Sequence, residues 1–309
     1  MASRTCGSMN GTVTMFRFLV LLGFTALVVS SGRAEEVQTV DLILVAGQSN
    51  AVGFDTNPAD LPANTGDREV MFWWRCGDPP PDESDSTSGS REWSHLGPQG
   101  KGRPQAKDLA GRQYGNFSNP AGGFGPEIGL ARTLIKRQPE TRLAIIKVAF
   151  SGTGISRDWN PKDPEGKSGA CFRALVTELR KAISAAKDKG IQLRPRAMIW
   201  VQGESDANAA DLPRYADTLK ELIGSLRREL ESPELKVLTS LNTRFSYGEN
   251  RLVEKVAEAQ AAVATADSNC VFVDTSRAST ANKYHFDSKG TLEVGVWFAE
   301  ALLALESAR

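Results

Sequence analysis

Short polar motifs follow five apolar runs of this 309-residue chain, and they hold the residue types that acyl transfer requires. The motifs are Gly47-Gln48-Ser49-Asn50, Ser151-Gly152-Thr153-Gly154, Gln202-Gly203-Glu204-Ser205-Asp206, Asn242 and the segment that carries His285. A hydroxyl becomes a strong nucleophile when a base takes its proton, and the oxyanion that then develops needs hydrogen-bond donors. The motifs offer both, so they predict a serine hydrolase in which Ser49 is the first candidate nucleophile.

The general base must be sought among two histidines, His95 and His285. Histidine is the most frequent general base near neutral pH. His95 lies in an irregular stretch, whereas His285 follows the last apolar run and precedes the last helical segment, so we predict that His285 is the base. One competing nucleophile is Ser205, because Gly203-Glu204-Ser205-Asp206-Ala207 loosely resembles a nucleophile elbow. The same residues also fit an ordinary helix start.

The elements that position these motifs alternate along the chain. Apolar runs typical of buried strands cover residues 40–46, 143–149, 197–201, 236–241 and 271–274. Helical periodicity covers residues 172–183, 212–226, 253–263 and 291–305, and Pro126 opens a further helix. This alternation predicts an α/β fold: a three-layer α/β/α, flavodoxin-like doubly wound sheet of about five parallel strands. Ligands of such sheets bind beyond the carboxyl ends of the strands, where the polar motifs should meet.

The stretch 54–125 departs from this pattern, because Gly, Pro, Ser and Asp dominate it and only residues 69–74 resemble a strand. We interpret it as a long irregular insertion, which in a compact domain is usually functional or mobile. Its aromatic residues either stack on a sugar ring or pin the insertion to the core. They are Phe72, Trp73, Trp74 and Trp93.

The N-terminal segment has the composition of an export signal. Arg17 precedes an apolar run over 18–29, and small residues follow up to Ala34. We predict a signal peptide over 1–34, cleaved before Glu35, and a single esterase-like domain over 35–309. This predicts a secreted or periplasmic protein without stable membrane insertion after cleavage, the alternative being an uncleaved anchor.

Charge and cysteine content exclude several other classes. The chain has 37 basic and 37 acidic residues and no basic stripe, so we expect no nucleic-acid partner. Cys6 would leave with the signal peptide, and an oxidising compartment would allow one disulfide among Cys76, Cys171 and Cys270, without indicating which pair. No residues have metal-ligand spacing, so we expect no metal and no cofactor. Nothing in the sequence indicates the oligomeric state.

Five sequence blocks resemble the SGNH hydrolase superfamily, and within it the branch of sialate O-acetylesterases and acetylxylan esterases, carbohydrate esterase family 6. The blocks are Gly47-Gln48-Ser49-Asn50, Phe124-Gly125-Pro126-Glu127, Ala149-Phe150-Ser151-Gly152-Thr153, Trp200-Val201-Gln202-Gly203-Glu204-Ser205-Asp206 and His285-Phe286-Asp287. They occur in the family's order across about residues 40–305. The resemblance implies an SGNH fold and a serine esterase that removes O-acetyl groups from sialic acid, xylan or another acetylated glycan through an acyl-enzyme, without a cofactor.

The resemblance also implies roles for individual residues. Ser49 corresponds to the nucleophile, and the oxyanion hole corresponds to the Ser49 N–H, the Gly152 N–H and the Gln202 side chain. Gln48 and Asn50 are expected to contact the substrate.

The third member of the triad is where this sequence departs from the family. Family members commonly carry an Asp three residues before the His, but Asn282 occupies that position, and an amide cannot stabilise an imidazolium by charge. Three alternatives follow: Glu204 supplies the carboxylate, Asn282 orients His285 as a neutral partner, or the chain is a catalytically weak carbohydrate-binding protein that retains the hydrolase fold. Asp206 and Asp287 are expected to serve as helix-capping and surface charges.

Overall fold

The structure is a computed structural model, and it describes residues 37–76, 89–102, 117–162 and 168–308. The predicted signal peptide over 1–34 lies outside these residues and stays a prediction. Among the described residues, no helix is long and apolar enough to cross a bilayer.

A single sheet of seven strands forms the centre of the described part of the chain. The strands are β1 (Gln38–Gly47), β2 (Met71–Cys76), β3 (Ser94–His95), β4 (Leu143–Ala149), β5 (Ile191–Val201), β6 (Lys236–Ser240) and β7 (Cys270–Phe272). Their spatial order is β3-β2-β4-β1-β5-β6-β7, and every neighbouring pair is parallel except β2 and β3. Because β1 lies between β4 and β5, the chain changes direction across the sheet there, which is where open α/β sheets bind their ligands.

The α/β class and the doubly wound parallel sheet are confirmed, but the prediction of about five strands was too low. The five predicted strands are β1, β4, β5, β6 and β7, and the insertion adds β2 and β3 at one edge. The 69–74 run was recognised as strand-like, and it becomes β2 by pairing with β4. The two residues of β3 are both exposed and too few to show a periodicity, so sequence patterning could not reveal that strand.

Helices cover both faces of the sheet. They are α1 (Ser49–Val52), α2 (Glu127–Arg137), α3 (Ile155–Asp158), α4 (Ala170–Lys187), α5 (Tyr215–Glu229), α6 (Leu252–Ala266) and α7 (Ser288–Ser307). Side chains of α4, α5 and α6 pack in one core with Leu42 and Leu44 of β1, whereas α1, α2 and α7 pack in a second core with Ile43 and Val45. Successive residues of β1 therefore face opposite buried layers, which explains why the strand is apolar from Leu42 to Ala46.

Two tryptophans of the insertion pin it to helix α4. The Trp73 indole donates a 2.9 Å hydrogen bond to Glu178, and the Trp93 indole donates one of 2.9 Å to the Ala182 carbonyl. The two indoles also meet edge to face, with ring centroids 5.8 Å apart. Phe72 and Trp73 are buried, so neither ring is available to a sugar.

The three cysteines of the described chain are buried and none is in a disulfide, so the single disulfide that an oxidising compartment would allow is not present among them. Cys76 lies in the core on the α2 and α7 side of the sheet, whereas Cys171 and Cys270 lie in the core on the other side. Burial raises the pKa of Cys76 and of Cys270 to about 12, which leaves these thiols unreactive at neutral pH.

Candidate active site

The candidate nucleophile lies directly after the central strand. Strand β1 ends at Gly47, and Ser49 is the first residue of α1. Gly47 has a φ of 141°, and a Cβ there would stand 2.0 Å from the Val201 carbonyl oxygen of β5, so only glycine permits this close passage. Ser49 is 5% exposed. Its hydroxyl makes no hydrogen bond within the described residues, which leaves it available for reaction.

His285 lies in the segment between β7 and α7, and its ring contacts the residues that follow α1. Its Nδ1 is 2.5 Å from Oδ2 of Asp55, and both side chains are 16% exposed. The Phe54 ring packs against the imidazole with centroids 4.8 Å apart. Because a carboxylate engages Nδ1, the imidazole is oriented with Nε2 left to accept a proton, as a general base requires.

Asp55 is a member of the site that the sequence did not reveal. Burial acts to raise its pKa, but hydrogen bonds from Ser118, Asn282 and His285 outweigh burial and lower the pKa below its usual value. The carboxylate is therefore charged at neutral pH, where it can stabilise an imidazolium. The sequence held only a weak signal for Asp55: it lies six residues after Ser49, at the start of the insertion.

Asn282 contacts this acid and does not replace it. Its Nδ2 donates a 2.7 Å hydrogen bond to Oδ2 of Asp55, the oxygen that His285 contacts. Its Oδ1 accepts the backbone N–H groups of Tyr284 at 2.9 Å and of His285 at 3.1 Å. Asn282 thus orients both the carboxylate and the segment that carries the imidazole.

Glu204 occupies a different position from the one expected of a triad acid. Its Oε1 accepts the Asn50 amide at 2.8 Å and the Asn242 backbone N–H at 2.9 Å, and no hydrogen bond joins it to His285 within the described residues. Burial raises its pKa, against the opposing effect of these donors. Oδ1 of Asn50 in turn accepts the N–H of Phe286 at 3.1 Å. Glu204 therefore supports the His285 segment through Asn50.

Gln48 and Asn50, the expected substrate contacts, are both buried and make hydrogen bonds inside the protein. Oε1 of Gln48 accepts the N–H groups of Gly203 and Ser205, each at 3.3 Å, and so joins the end of β1 to the turn after β5. Both polar atoms of the Asn50 side chain are engaged inside the protein, which does not fit the expected substrate contact, whereas for Gln48 it is Oε1 that is engaged.

Gln202 is also fully buried, and protein partners engage its amide. Its Nε2 donates to the Thr153 carbonyl at 3.0 Å and to Asp206, and its Oε1 accepts the Tyr215 hydroxyl at 3.1 Å. The expected oxyanion contact from this side chain would require one of these bonds to break. Gly152 lies exposed after the end of β4 with a φ of 69°.

The two remaining aspartates behave differently from each other. Asp206 is fully buried, which contradicts the expectation of a surface charge. Its carboxylate accepts the Ile155 N–H at the start of α3, with both oxygens 3.0 Å away. Burial raises the pKa of Asp206 to about 6. Asp287 caps α7 as expected, by accepting the Gly290 N–H at 2.7 Å.

The surroundings of His95 do not suit a general base, and those of Ser205 do not suit a nucleophile. His95 is exposed on the two-residue edge strand β3, opposite Met71. Ser205 lies in a short 3-10 turn, Glu204–Asp206, whereas a nucleophile elbow requires an α-helix directly after the serine. In the ranges that the structure describes, no cluster of three His, Cys, Asp or Glu side chains could hold a metal ion.

Comparison with known proteins identifies the family of this chain. A family model described as carbohydrate esterase, sialic acid-specific acetylesterase, matches residues 39–304. The chain belongs to this family. This esterase is accordingly a carboxylic ester hydrolase of carbohydrates, and its match to the family extends from β1 into α7. No curated protein matches the sequence.

Solved structures share the fold of this esterase at low sequence identity. A protein from Arabidopsis thaliana superposes with a TM-score of 0.59 at 19% identity, over 85% of this chain and 98% of that chain. NanS gives 0.55 at 16%, over 88% and 99%. A carbohydrate acetylesterase from Xanthomonas citri gives 0.53 at 15%, over 87% of this chain and 57% of that one.

Proposed function

We propose that this esterase removes O-acetyl groups from a carbohydrate through an acetyl-enzyme at Ser49, with His285 as general base and Asp55 as the acid of the triad. The observation that carries the proposal is the 2.5 Å contact between His285 Nδ1 and Asp55 Oδ2, next to the helix that begins at Ser49. Asn50, the residue after Ser49, hydrogen-bonds the Phe286 N–H and the Tyr284 carbonyl, which flank His285.

The proposed reaction has two steps. His285 Nε2 takes the proton of the Ser49 hydroxyl as the oxygen attacks the acetyl carbonyl, and the tetrahedral intermediate collapses when the sugar oxygen leaves with that proton. Water then attacks the acetyl-enzyme as His285 takes a proton from it; the second tetrahedral intermediate collapses, the Ser49 oxygen leaves with that proton, and acetate is released. Asp55 stabilises the imidazolium that exists in both steps and holds the ring in the required tautomer.

For the oxyanion hole we propose two backbone donors. The N–H of Ser49, at the start of α1, donates to no acceptor within the described residues. The family resemblance adds the N–H of Gly152. We assign Gln202 a structural role, because its amide is buried and engaged by protein partners.

The binding-protein alternative rested on Asn282 in place of the usual Asp. Asp55 supplies a charged partner for His285 from another part of the chain, and this favours an active enzyme.

Hydrolysis of p-nitrophenyl acetate by purified variants tests the assignment. Ser49→Ala should abolish turnover, whereas the matched control Ser205→Ala should leave it near the parental value. Asp55→Asn should lower kcat by about 10⁴-fold, the loss known for the corresponding change in a serine protease triad. Undiminished turnover in Ser49→Ala would refute the mechanism, and an inactive parent protein would favour the binding-protein alternative.

A further inference from the structure

The segment that follows β4 carries the backbone donor that the family resemblance assigns to the oxyanion hole. Gly152 adopts a φ of 69°, and α3 begins three residues later at Ile155. Within the segment, the Thr153 hydroxyl donates to the Phe150 carbonyl at 2.8 Å and accepts the Trp159 indole N–H at 2.8 Å. An oxyanion donor is effective only when it is held in place before the reaction begins, so the position of this segment affects turnover.

Asp206 reaches this segment from the turn after β5. The side chain is fully buried, and both of its carboxylate oxygens lie 3.0 Å from the nitrogen of the Ile155 N–H group. A Cβ added to Gly154 would stand 3.3 Å from Oδ1 of Asp206, so the carboxylate lies directly against the backbone of the segment. Because α3 has only four residues and is too short to be stable alone, bonds to its first N–H groups determine where it lies.

Gln202 joins the same carboxylate to the residue after Gly152. Its Nε2 donates to Asp206 and, at 3.0 Å, to the Thr153 carbonyl. Its Oε1 accepts the Tyr215 hydroxyl at 3.1 Å, so the amide cannot turn over without losing these bonds. Asp206 and Gln202 therefore bind the segment one and three residues after Gly152.

The charge of Asp206 is held in surroundings that oppose it. Burial, together with the nearby charge of Asp211, raises the pKa of Asp206 to about 6, so the side chain is a buried carboxylate at neutral pH. Carboxyls with raised pKa values occur preferentially at functional sites. The bonds that Asp206 accepts come from α3 and from Gln202, so its charge is directed at the segment that carries Gly152.

We propose that Asp206 is a positioning residue for the oxyanion hole. Together with the Gln202 amide, it holds the segment after β4 so that the Gly152 N–H points at the acetyl carbonyl. This inference rests on the proposed function of Ser49 and gives the buried pair of Asp206 and Gln202 a shared role in catalysis. Acylation and deacylation both pass through an oxyanion, so a displaced segment should lower kcat and leave KM nearly unchanged.

Turnover of p-nitrophenyl acetate by Asp206 variants tests this role. Asp206→Ala removes both contacts and should lower kcat by about 10- to 100-fold, which is part of the effect of losing a whole oxyanion donor, with KM changed less than about twofold. Asp206→Asn keeps an oxygen for the Ile155 N–H but directs its own N–H groups at the Gln202 Nε2, so its kcat should lie between those of the parent and Asp206→Ala.

Asp41→Asn is the matched control, because Asp41 is another buried carboxylate but lies near the start of β1, at the edge of the sheet opposite Ser49. It should leave kcat near the parental value. Gln202→Met removes the amide that bridges Asp206 and Thr153 and should also lower kcat with little change in KM, which keeps the test decisive if Asp206→Ala does not fold.

Hydrogen exchange followed by mass spectrometry, in the Ser49→Ala background, separates the positioning role from the chemistry. Adding Asp206→Ala or Gln202→Met should speed exchange of the amides over residues 152–158, and adding Asp41→Asn should not. Unchanged exchange over these residues, a fall in kcat no larger than that of Asp41→Asn, or an effect carried by KM would overturn the inference. Turnover that survives Ser49→Ala would instead refute the proposed function, and the exchange rates would still show whether Asp206 holds the segment.

Discussion

The side-chain amide of Asn282 donates a 2.7 Å hydrogen bond to Oδ2 of Asp55, the oxygen that also lies 2.5 Å from His285 Nδ1. The family resemblance implies an acid at position 282, whereas in this chain the carboxylate that contacts His285 belongs to Asp55. The amide is the appropriate partner here, because a second carboxylate at 282 would face Asp55 at hydrogen-bonding distance.

Substitutions at Asp55 and Asn282 therefore test which of the two positions must carry the carboxylate. Asn282→Asp alone should lower kcat/KM about tenfold or more, because two adjacent carboxyls cannot both ionise easily and one retains a proton to higher pH. The acid limb of the pH–rate profile should move to higher pH. Asp55→Asn with Asn282→Asp should regain much of the activity lost in Asp55→Asn, since the acid then occupies the family's usual position. A double variant no better than Asp55→Asn would show that position 282 cannot reach the imidazole.

Glu204 should behave as a positioning residue. Glu204→Gln keeps the oxygen that accepts the Asn50 and Asn242 donors and removes a buried charge, so kcat should fall less than about tenfold, far below the loss that a triad acid causes. Glu204→Ala removes that acceptor and should lower kcat further than Glu204→Gln does. The measurement is kcat for p-nitrophenyl acetate, with thermal unfolding to confirm folding. A fall in kcat of thousands-fold in Glu204→Gln would indicate that Glu204 is the acid of the triad.

Asp206 should make stability depend on pH between about 4 and about 6. Its pKa in the folded protein is about 6, above the value of about 3.9 for an unfolded chain. A carboxyl with a raised pKa contributes most to stability below the unfolded pKa, and that contribution is lost as pH rises from about 4 through about 6. Relative to Asp206→Asn, the parent should lose unfolding free energy across this range. Urea unfolding of both proteins at pH 5 and pH 8 measures the difference, and parallel pH profiles would contradict the prediction.

Replacing Lys147, which forms a buried ion pair beneath helix α1, should lower the free energy of unfolding. The fully buried Lys147 ammonium contacts Glu127 at 2.9 Å, Gln99 at 2.7 Å and the Val52 carbonyl, at the end of α1, at 2.9 Å. Lys147→Met leaves Glu127 buried without its cation and should cost about 3–5 kcal/mol of unfolding free energy. Adding Glu127→Gln should recover part of this loss, because the unpaired charge is then removed. Chemical denaturation of the single and double variants checks both values.

The sequence alone determined the features that depend on neighbouring residues. Strands β1 and β4 and the second half of β5 are largely apolar because both of their faces are buried, so local composition reveals them. The fold class, together with Ser49 and His285 as candidates for catalysis, followed from such runs and from the polar motifs at their ends.

Tertiary structure decided the partners and the burial of the polar residues. Gln48, Gln202 and Glu204 follow strands as reactive residues do, but their surroundings engage them in internal hydrogen bonds. Asp55 meets His285 across 230 positions of sequence. No local periodicity encodes that contact, because it exists only once α1 and the segment after β7 lie together at one edge of the sheet.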